Sequence, residues 1–334
     1  MKAARLHGTG DLRLADEPVP RAGPGEELVR VTAAGICGSD LHWWGEGGIG
    51  DAALVQPLVL GHEAAGVIES GPRRGTRVAI DPAIPCDDCR SCRRGWRNLC
   101  TRIRFAGHGG QDGALREYLA WPSDLLHPLP GSLSDADGAL LEPLGVAIHA
   151  VDLGHVRLGA RVAVAGCGPI GLLLIAAARA AGASHVAAFE PLPHRRAAAL
   201  RYGADVCLDP RTGPDDLAEL AGEGVDVAFE MAGTAQAVEL SMALARPGGR
   251  VVLGGIPGDD QIAFRASTAR RKGLTIALVR RMNEVYGRAI ALASAGTVDL
   301  ATLVTHRSGL ADTGGAFRIA AQRTGLKVLI EPAA

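Results

Sequence analysis

Lysine is nearly missing from this 334-residue chain: Lys2, Lys272 and Lys327 are the only ones, and the rest of the 35 basic side chains are arginines scattered along the sequence. With 36 acidic residues the formal net charge is −1, which excludes the strongly basic balance of a general nucleic-acid binder. Scattered arginines beside abundant alanine read as a compositional bias rather than a phosphate-binding device. Long hydrophobic runs are also missing. The longest, 172–178, is far too short to span a bilayer, and Met1-Lys2-Ala3-Ala4-Arg5 contains no apolar signal region. The expectation is a cytosolic protein with neither a nucleic-acid nor a membrane partner. Repeats and low-complexity linkers are absent, and the 45 glycines follow no Gly-X-Y period, which excludes solenoid, disordered and collagen-like classes.

What is present suits a soluble globular protein: 47% hydrophobic and 21% charged residues. The length exceeds the usual ceiling of one hydrophobic core, so two domains are expected. From residue 161 onward, short β-branched runs at 161–165, 185–189, 205–208, 225–230, 250–254 and 274–279 alternate with helical stretches at 170–181, 195–202 and 235–245. That alternation predicts α/β architecture: a six-stranded parallel, doubly wound sheet covered by helices on both faces. Before about residue 150, Gly and Pro interrupt strand-like pieces such as 27–32, 63–68 and 77–80, and no long helical period is visible, so this part reads as mostly β. Beyond 279, helices around 284–295 and 311–322 and a strand at 327–330 either extend the nucleotide domain or return to complete the first one.

After the strand at 161–165 comes Gly166-Cys167-Gly168-Pro169-Ile170-Gly171, a G-x-G-x-x-G opening a helix. Gly166 permits the tight turn, Gly168 lets the backbone approach a pyrophosphate, and Gly171 lets the helix pack on the sheet. Pro169 suits a first helical turn, where its missing donor is not needed. Six such residues alone are weak evidence in a glycine-rich chain. Glu190 supplies the second signal: it ends the next strand, nineteen residues after Gly171, where a carboxylate accepts hydrogen bonds from adenosine ribose hydroxyls and repels a 2′-phosphate. The expected cofactor is NAD, with NADP as the alternative because Arg195 and Arg196 follow and can hold a phosphate.

Four of the seven cysteines fall at Cys86-x2-Cys89-x2-Cys92-x7-Cys100. Four soft ligands in one short lobe predict a closed tetrahedral zinc–thiolate site, structural because no ligand place stays open. An iron–sulfur cluster usually requires a shorter last gap followed by proline, and disulfides are disfavoured in the cytosol. A second set is dispersed: Cys37-Gly-Ser-Asp-Leu-His-Trp-Trp44, then Gly61-His62-Glu63, then Glu142-Pro-Leu-Gly145. Taken singly, Cys37 reads as a core thiol, His62 as a turn histidine, Glu63 as a surface charge and Glu142 as a helix-start acid.

These motifs, with the four-cysteine lobe, the glycine-rich loop and Thr305-His306-Arg307, resemble the zinc-dependent medium-chain dehydrogenase superfamily over nearly the whole chain. The likeness is greatest to its polyol branch, the sorbitol (L-iditol) and L-idonate 5-dehydrogenases. The resemblance implies a GroES-like mostly-β catalytic domain at 1–147 and 281–334, with the zinc lobe at 83–101, and a Rossmann NAD-binding domain at 148–280. It implies Cys37, His62 and Glu63 as ligands of a catalytic zinc, with Glu142 either ligating or holding the metal-bound water. It also implies a proton relay through Ser39 to His42, and substrate contacts from Trp43 and Arg280. The expected reaction is hydride transfer from a secondary alcohol of a polyol or sugar acid to NAD, in a homo-oligomer, dimer or tetramer. Two other readings stand beside it: a threonine or amino-alcohol dehydrogenase, against which Ser39 speaks where those enzymes tend to have threonine, and a non-catalytic zinc- and nucleotide-binding protein. At 107–112 the sequence departs from the idonate enzymes with what looks like a shorter loop.

Overall fold

The computed structural model describes residues 1–211 and 223–332. The chain divides into two compact units, one of 1–142 with 286–334 and one of 143–285. The stretch from residue 286 on therefore returns to the first unit.

The first unit is built on a mixed sheet. Its spine is the strand Glu26–Gly35, which pairs antiparallel with Glu63–Ile68 on one side and with Tyr118–Pro122 and Lys327–Glu331 on the other. Arg77–Ile80 and Leu126–Pro128 extend one edge, and Val304–Gly309, parallel to Lys327–Glu331, extends the other. Along the spine Val29, Val31 and Ala33 point inward at every second position, the strand period. Val29 and Val31 join a core with Leu6, Trp121, Phe317 and Ile330, while Ala33 packs with Ala65, Ala136, Ala139 and Leu329. Trp121 meets its one polar obligation by donating Nε1–H to the Asp81 carbonyl at 2.8 Å.

Among the described residues the second unit holds six strands, all parallel: Arg161–Ala165, His185–Phe189, Val206–Leu208, Val225–Glu230, Ala245–Leu253 and Thr275–Leu278. Their order across the sheet is third, second, first, fourth, fifth, sixth. The order reverses beside the first strand, which opens a crevice at the carboxyl ends. Helices Pro169–Ala180, Pro193–Arg201 and Ala235–Leu244 lie within two residues of their expected bounds.

The absence of a long helix before residue 150 is corrected by the structure: Asp135–Gly154 is a 20-residue helix. Its signal was hidden because nearly every position from Ala139 to Ile148 is buried, which leaves no apolar-polar period, and because Gly138, Pro143 and Gly145 read as breakers. Gly138 is there for close approach: a Cβ would lie 2.6 Å from Leu129 Cδ1 and 2.9 Å from Ala65 Cβ. The structure also adds a short helix at Gly38–Glu46. Among the described residues no helix is long and apolar enough to cross a membrane.

Candidate metal and dinucleotide sites

Where the spine strand ends, Cys37 caps the helix Gly38–Glu46, and the Asp40 carboxylate reaches back to accept the Cys37 N–H at 2.9 Å, a capping box. On the neighbouring strand Glu63 pairs with Gly35 across the ladder. Any side chain at Gly35 would collide with Glu63 Oε2, so glycine there makes room for the carboxylate. His62 stands beside it after Gly61, whose φ of +92° favours glycine. Ligand atoms of Cys37, His62 and Glu63 come within 4.8 Å of one another. They offer a thiolate, an imidazole and a carboxylate, a donor set that fits zinc with a place left for a substrate oxygen.

Two partners that were not among the expected site residues hold this set. Asp40, 1% exposed, lies 3.4 Å from His62 Nδ1 through Oδ1, which also accepts the Gly61 N–H at 3.2 Å. With Nδ1 committed to Asp40, Nε2 is the nitrogen offered to a metal, the usual carboxylate–histidine arrangement behind a ligand. Burial works against charge on both groups. Even so, Asp40 and Cys37 hold His62 well above the ordinary imidazole range, and His62 with the two N–H groups keeps Asp40 below the usual carboxylate range. Lys327, 3% exposed, donates to both Glu63 oxygens at 2.7 Å and to the Ile36 carbonyl at 3.0 Å, so all three of its protons are used. Burial opposes its charge, but Glu63, Cys37 and Asp40 raise its pKa above the ordinary value. Each partner carried a faint signal: Asp40 in the Cys-x-x-Asp spacing of a capping box, Lys327 in its rarity.

Ser39 Oγ lies 3.4 Å from His62 Nε2, and His42, three residues on in the same helix, shares a 3.0 Å contact with Glu46. Phe105 leans over His62 at a centroid distance of 5.3 Å. Trp43 is buried and meets His108 edge-on at 5.2 Å. Glu142 is buried on the helix Asp135–Gly154, outside the group whose ligand atoms lie within 4.8 Å. Its carboxyl is pushed up to about 7, by burial first and by the Glu63 charge, with His62 and Lys327 opposing. Arg280, in the other unit, is exposed two residues beyond the strand Thr275–Leu278.

Cys86, Cys89, Cys92 and Cys100 form the second group, all four sulfurs within 4.8 Å. Cys89 and Cys92 stand 3.5 Å apart, near the edge of about 3.8 Å that tetrahedral zinc–sulfur bonds of about 2.3 Å require. Backbone N–H groups prepare thiolates: those of Cys86 and Arg102 point at Cys100 Sγ, and that of Cys89 at Cys86 Sγ. The N–H groups of Cys92 and Thr101 bring Cys89 down to about 5, whereas burial pushes Cys92 up to about 12. Among the described residues no fifth donor joins the four sulfurs, which make a closed site.

In the parallel-sheet unit, Gly166 turns the chain at φ +98°, Gly168 starts the helix without any side-chain cap, and Pro169 occupies the first turn. A Cβ at Gly171 would collide with the Gly166 carbonyl oxygen. Gly168, Pro169 and Ile170 are partly exposed, so the uncapped helix start is open to an anion. Glu190, 4% exposed, accepts the Cys167 N–H at 2.9 Å and the Leu192 N–H at 3.0 Å, which brings its carboxylate directly against the glycine-rich turn. Arg195 Nη1 lies 3.7 Å from where a Cβ on Gly168 would be.

Residues 23–131 match the Alcohol dehydrogenase GroES-like domain family and residues 169–295 the Zinc-binding dehydrogenase family. Sorbitol dehydrogenase of Bacillus subtilis strain 168 is 35% identical over 344 aligned residues, covering 99% of this chain and 97% of that protein. The crystal structure of L-idonate 5-dehydrogenase from Escherichia coli K-12 superposes with a TM-score of 0.93 at 29% identity, over 99% of this chain and 98% of that one. A putative zinc-binding dehydrogenase of Sinorhizobium meliloti 1021, bound to NADP, superposes with a TM-score of 0.91 at 32% identity, over 99% of both chains.

Proposed function

Because the chain belongs to the zinc-dependent medium-chain dehydrogenases, in their polyol branch, we propose that it oxidises a secondary alcohol of a polyol or sugar acid with NAD, as a cytoplasmic homo-oligomer. The observation that carries this reading is the convergence of Cys37, His62 and Glu63 within 4.8 Å, with Asp40 and Lys327 buried behind them. The substrate class follows from the names of the sorbitol and L-idonate relatives.

Zinc held by Cys37, His62 and Glu63 would supply Lewis acidity toward the substrate hydroxyl, and a nicotinamide dinucleotide held by the glycine-rich turn and Glu190 would supply the hydride acceptor. The chain's own side chains do the rest. Asp40 fixes the tautomer and direction of His62, and Lys327 limits the freedom of Glu63. Ser39 accepts the hydroxyl proton while giving up its own, and so relays without becoming charged. His42 then passes the proton to solvent, one ring nitrogen accepting while the other gives up a proton. Glu142, held near 7, is suited to exchange a proton with water at the site. The lobe of Cys86, Cys89, Cys92 and Cys100 holds a second, structural zinc. Arg280 is the candidate to bind a substrate hydroxyl or carboxylate, for which its fork is suited, and Trp43 is the candidate to shape the pocket through His108.

NADH formation, followed by the absorbance of the reduced nicotinamide over polyols, sugar acids and amino alcohols, tests the proposal, with metal analysis expected to give about two zinc per chain. Turnover of amino alcohols alone would reassign the substrate, and complete silence of metal-loaded protein would end the enzymatic reading. The preference for NAD rests on Glu190 beside the glycine-rich turn. Glu190→Ala is expected to lower kcat/KM for NAD about tenfold, the loss of one charge-assisted hydrogen bond, and to narrow the gap to NADP. An unchanged NAD:NADP ratio would move the ribose contact elsewhere.

A further inference from the structure

Two buried carboxylates flank the central strand Arg161–Ala165 of the parallel sheet. Glu190 stands at the end of one neighbouring strand. Glu230 ends the other, Val225–Glu230, and is 1% exposed. Among the described residues no basic side chain pairs with Glu230. Its Oε1 instead accepts the N–H groups of Ala232 and Gly233, each at 2.7 Å, and its Oε2 accepts that of Gly255 at 3.3 Å. Its main-chain carbonyl accepts from Gly254 at 2.8 Å and Gly255 at 3.1 Å. One residue thus ties the turn after the fourth strand to the turn after the fifth.

The two turns meet backbone on backbone. A Cβ at Gly255 would collide with the Gly233 nitrogen, and one at Gly233, φ +71°, with the Ile256 carbonyl oxygen. The glycine-rich turn joins them, since a Cβ at Gly166 would come within 2.9 Å of both the nitrogen and the Cβ of Ala232. Burial pushes the Glu230 carboxyl up, and the surrounding N–H groups only partly offset this. An apolar side chain would avoid that burial cost but leave these N–H groups without their carboxylate acceptor. What the carboxylate adds is a fixed direction for three N–H groups at the carboxyl edge of the sheet.

In a sheet of this order the dinucleotide crosses that edge with one mononucleotide on each half. Glu190 marks the half made by the first three strands as the adenosine side, which leaves the half headed by Glu230 for nicotinamide mononucleotide. We propose that Glu230 is a positioning residue for the nicotinamide half of the cofactor: by holding the N–H groups of Ala232, Gly233 and Gly255 it keeps the turns after the fourth and fifth strands in the conformation that receives it. The proposal rests on the nicotinamide-dependent reading above.

Glu230→Gln retains the shape but turns one acceptor oxygen into an N–H donor, so the side chain can no longer accept from both turns, while the main-chain bonds of residue 230 stay. Calorimetric titration should compare the reduced cofactor that supports turnover with its fragment lacking nicotinamide, ADP-ribose for NADH or 2′-phospho-ADP-ribose for NADPH. The expected result is a Kd for the reduced cofactor raised at least about tenfold, the loss of one hydrogen bond to a charged group, with the fragment's Kd changed by less than about twofold. Equal weakening of both ligands, as from a generally loosened domain, or no weakening of either, overturns the proposal. Hydrogen exchange on the wild-type protein gives a test that needs no variant: the reduced cofactor should protect the amides of residues 232, 233 and 255 and the fragment should not, and equal protection by both overturns the assignment. Wild-type protein that binds neither ligand overturns the cofactor reading and this inference with it. Wild-type protein that binds both, beside an unaffected Glu230→Gln, overturns this inference alone.

Discussion

Cys37→Ser is expected to lower kcat/KM by at least about three orders of magnitude, roughly 4 kcal/mol of lost transition-state stabilisation, and to remove one of two zinc equivalents. A hydroxyl stays protonated at neutral pH and makes a poor replacement for a thiolate donor, so the open site loses its soft ligand and most of its charge compensation. The substitution separates chemistry from folding because Cys37 is also the N-cap of the helix Gly38–Glu46. Serine is a preferred N-cap, and the Asp40 bond to the residue-37 N–H does not involve the side chain, so the helix start should be maintained or strengthened. Metal analysis, steady-state rates and a thermal melt of the same preparation check this. Full turnover with one metal lost, or loss of both metals, would dismiss Cys37 as a ligand of a catalytic ion.

Lys327→Met should produce the largest stability loss of any single change at this site. Glu63 and Lys327 are both buried, and the ammonium is held to both carboxylate oxygens at 2.7 Å. Removing one member of a buried pair leaves an uncompensated charge, at a cost of about 3–5 kcal/mol. A divalent ion beside Glu63 would supply the missing positive charge, so the deficit should be greater in chelator-treated protein than in zinc-loaded protein. Glu63→Gln in the same chain should recover much of it, because a neutral amide tolerates burial better than a lone carboxylate. The Lys327 pKa is raised in the folded state, so its contribution is complete below the unfolded lysine range and lost only as pH climbs through the folded value. The penalty should therefore be constant from about pH 6 to about pH 9, below that range. Denaturant midpoints of wild type, single and double variants, with and without zinc, decide it. A Lys327→Met protein as stable as wild type after chelation would show that Glu63 does not depend on this partner.

The amino-acid order alone determined the features whose chemistry is local. A strand, two turn glycines, a helix start and a carboxylate follow one another between residues 161 and 190, and four cysteines fall within fifteen residues. Short spacing encodes these because the chain has little room to place such residues elsewhere. Periodicity likewise marked the six parallel strands, but it failed at Asp135–Gly154, where burial on every side removes the contrast that a period needs. Tertiary structure alone decided the long-range links. Asp40 reaches His62 across 22 positions of sequence, and Lys327 reaches Glu63 across 264. The pattern of the tail beyond residue 285 left its unit open, and only the family resemblance pointed to the first one, to which it belongs. Such pairings are set by strand register: Gly35 stands opposite Glu63, while Leu329 pairs with Gly35 and brings Lys327 beside both. Register is the sum of many weak side-chain preferences along a ladder, and no single motif records it.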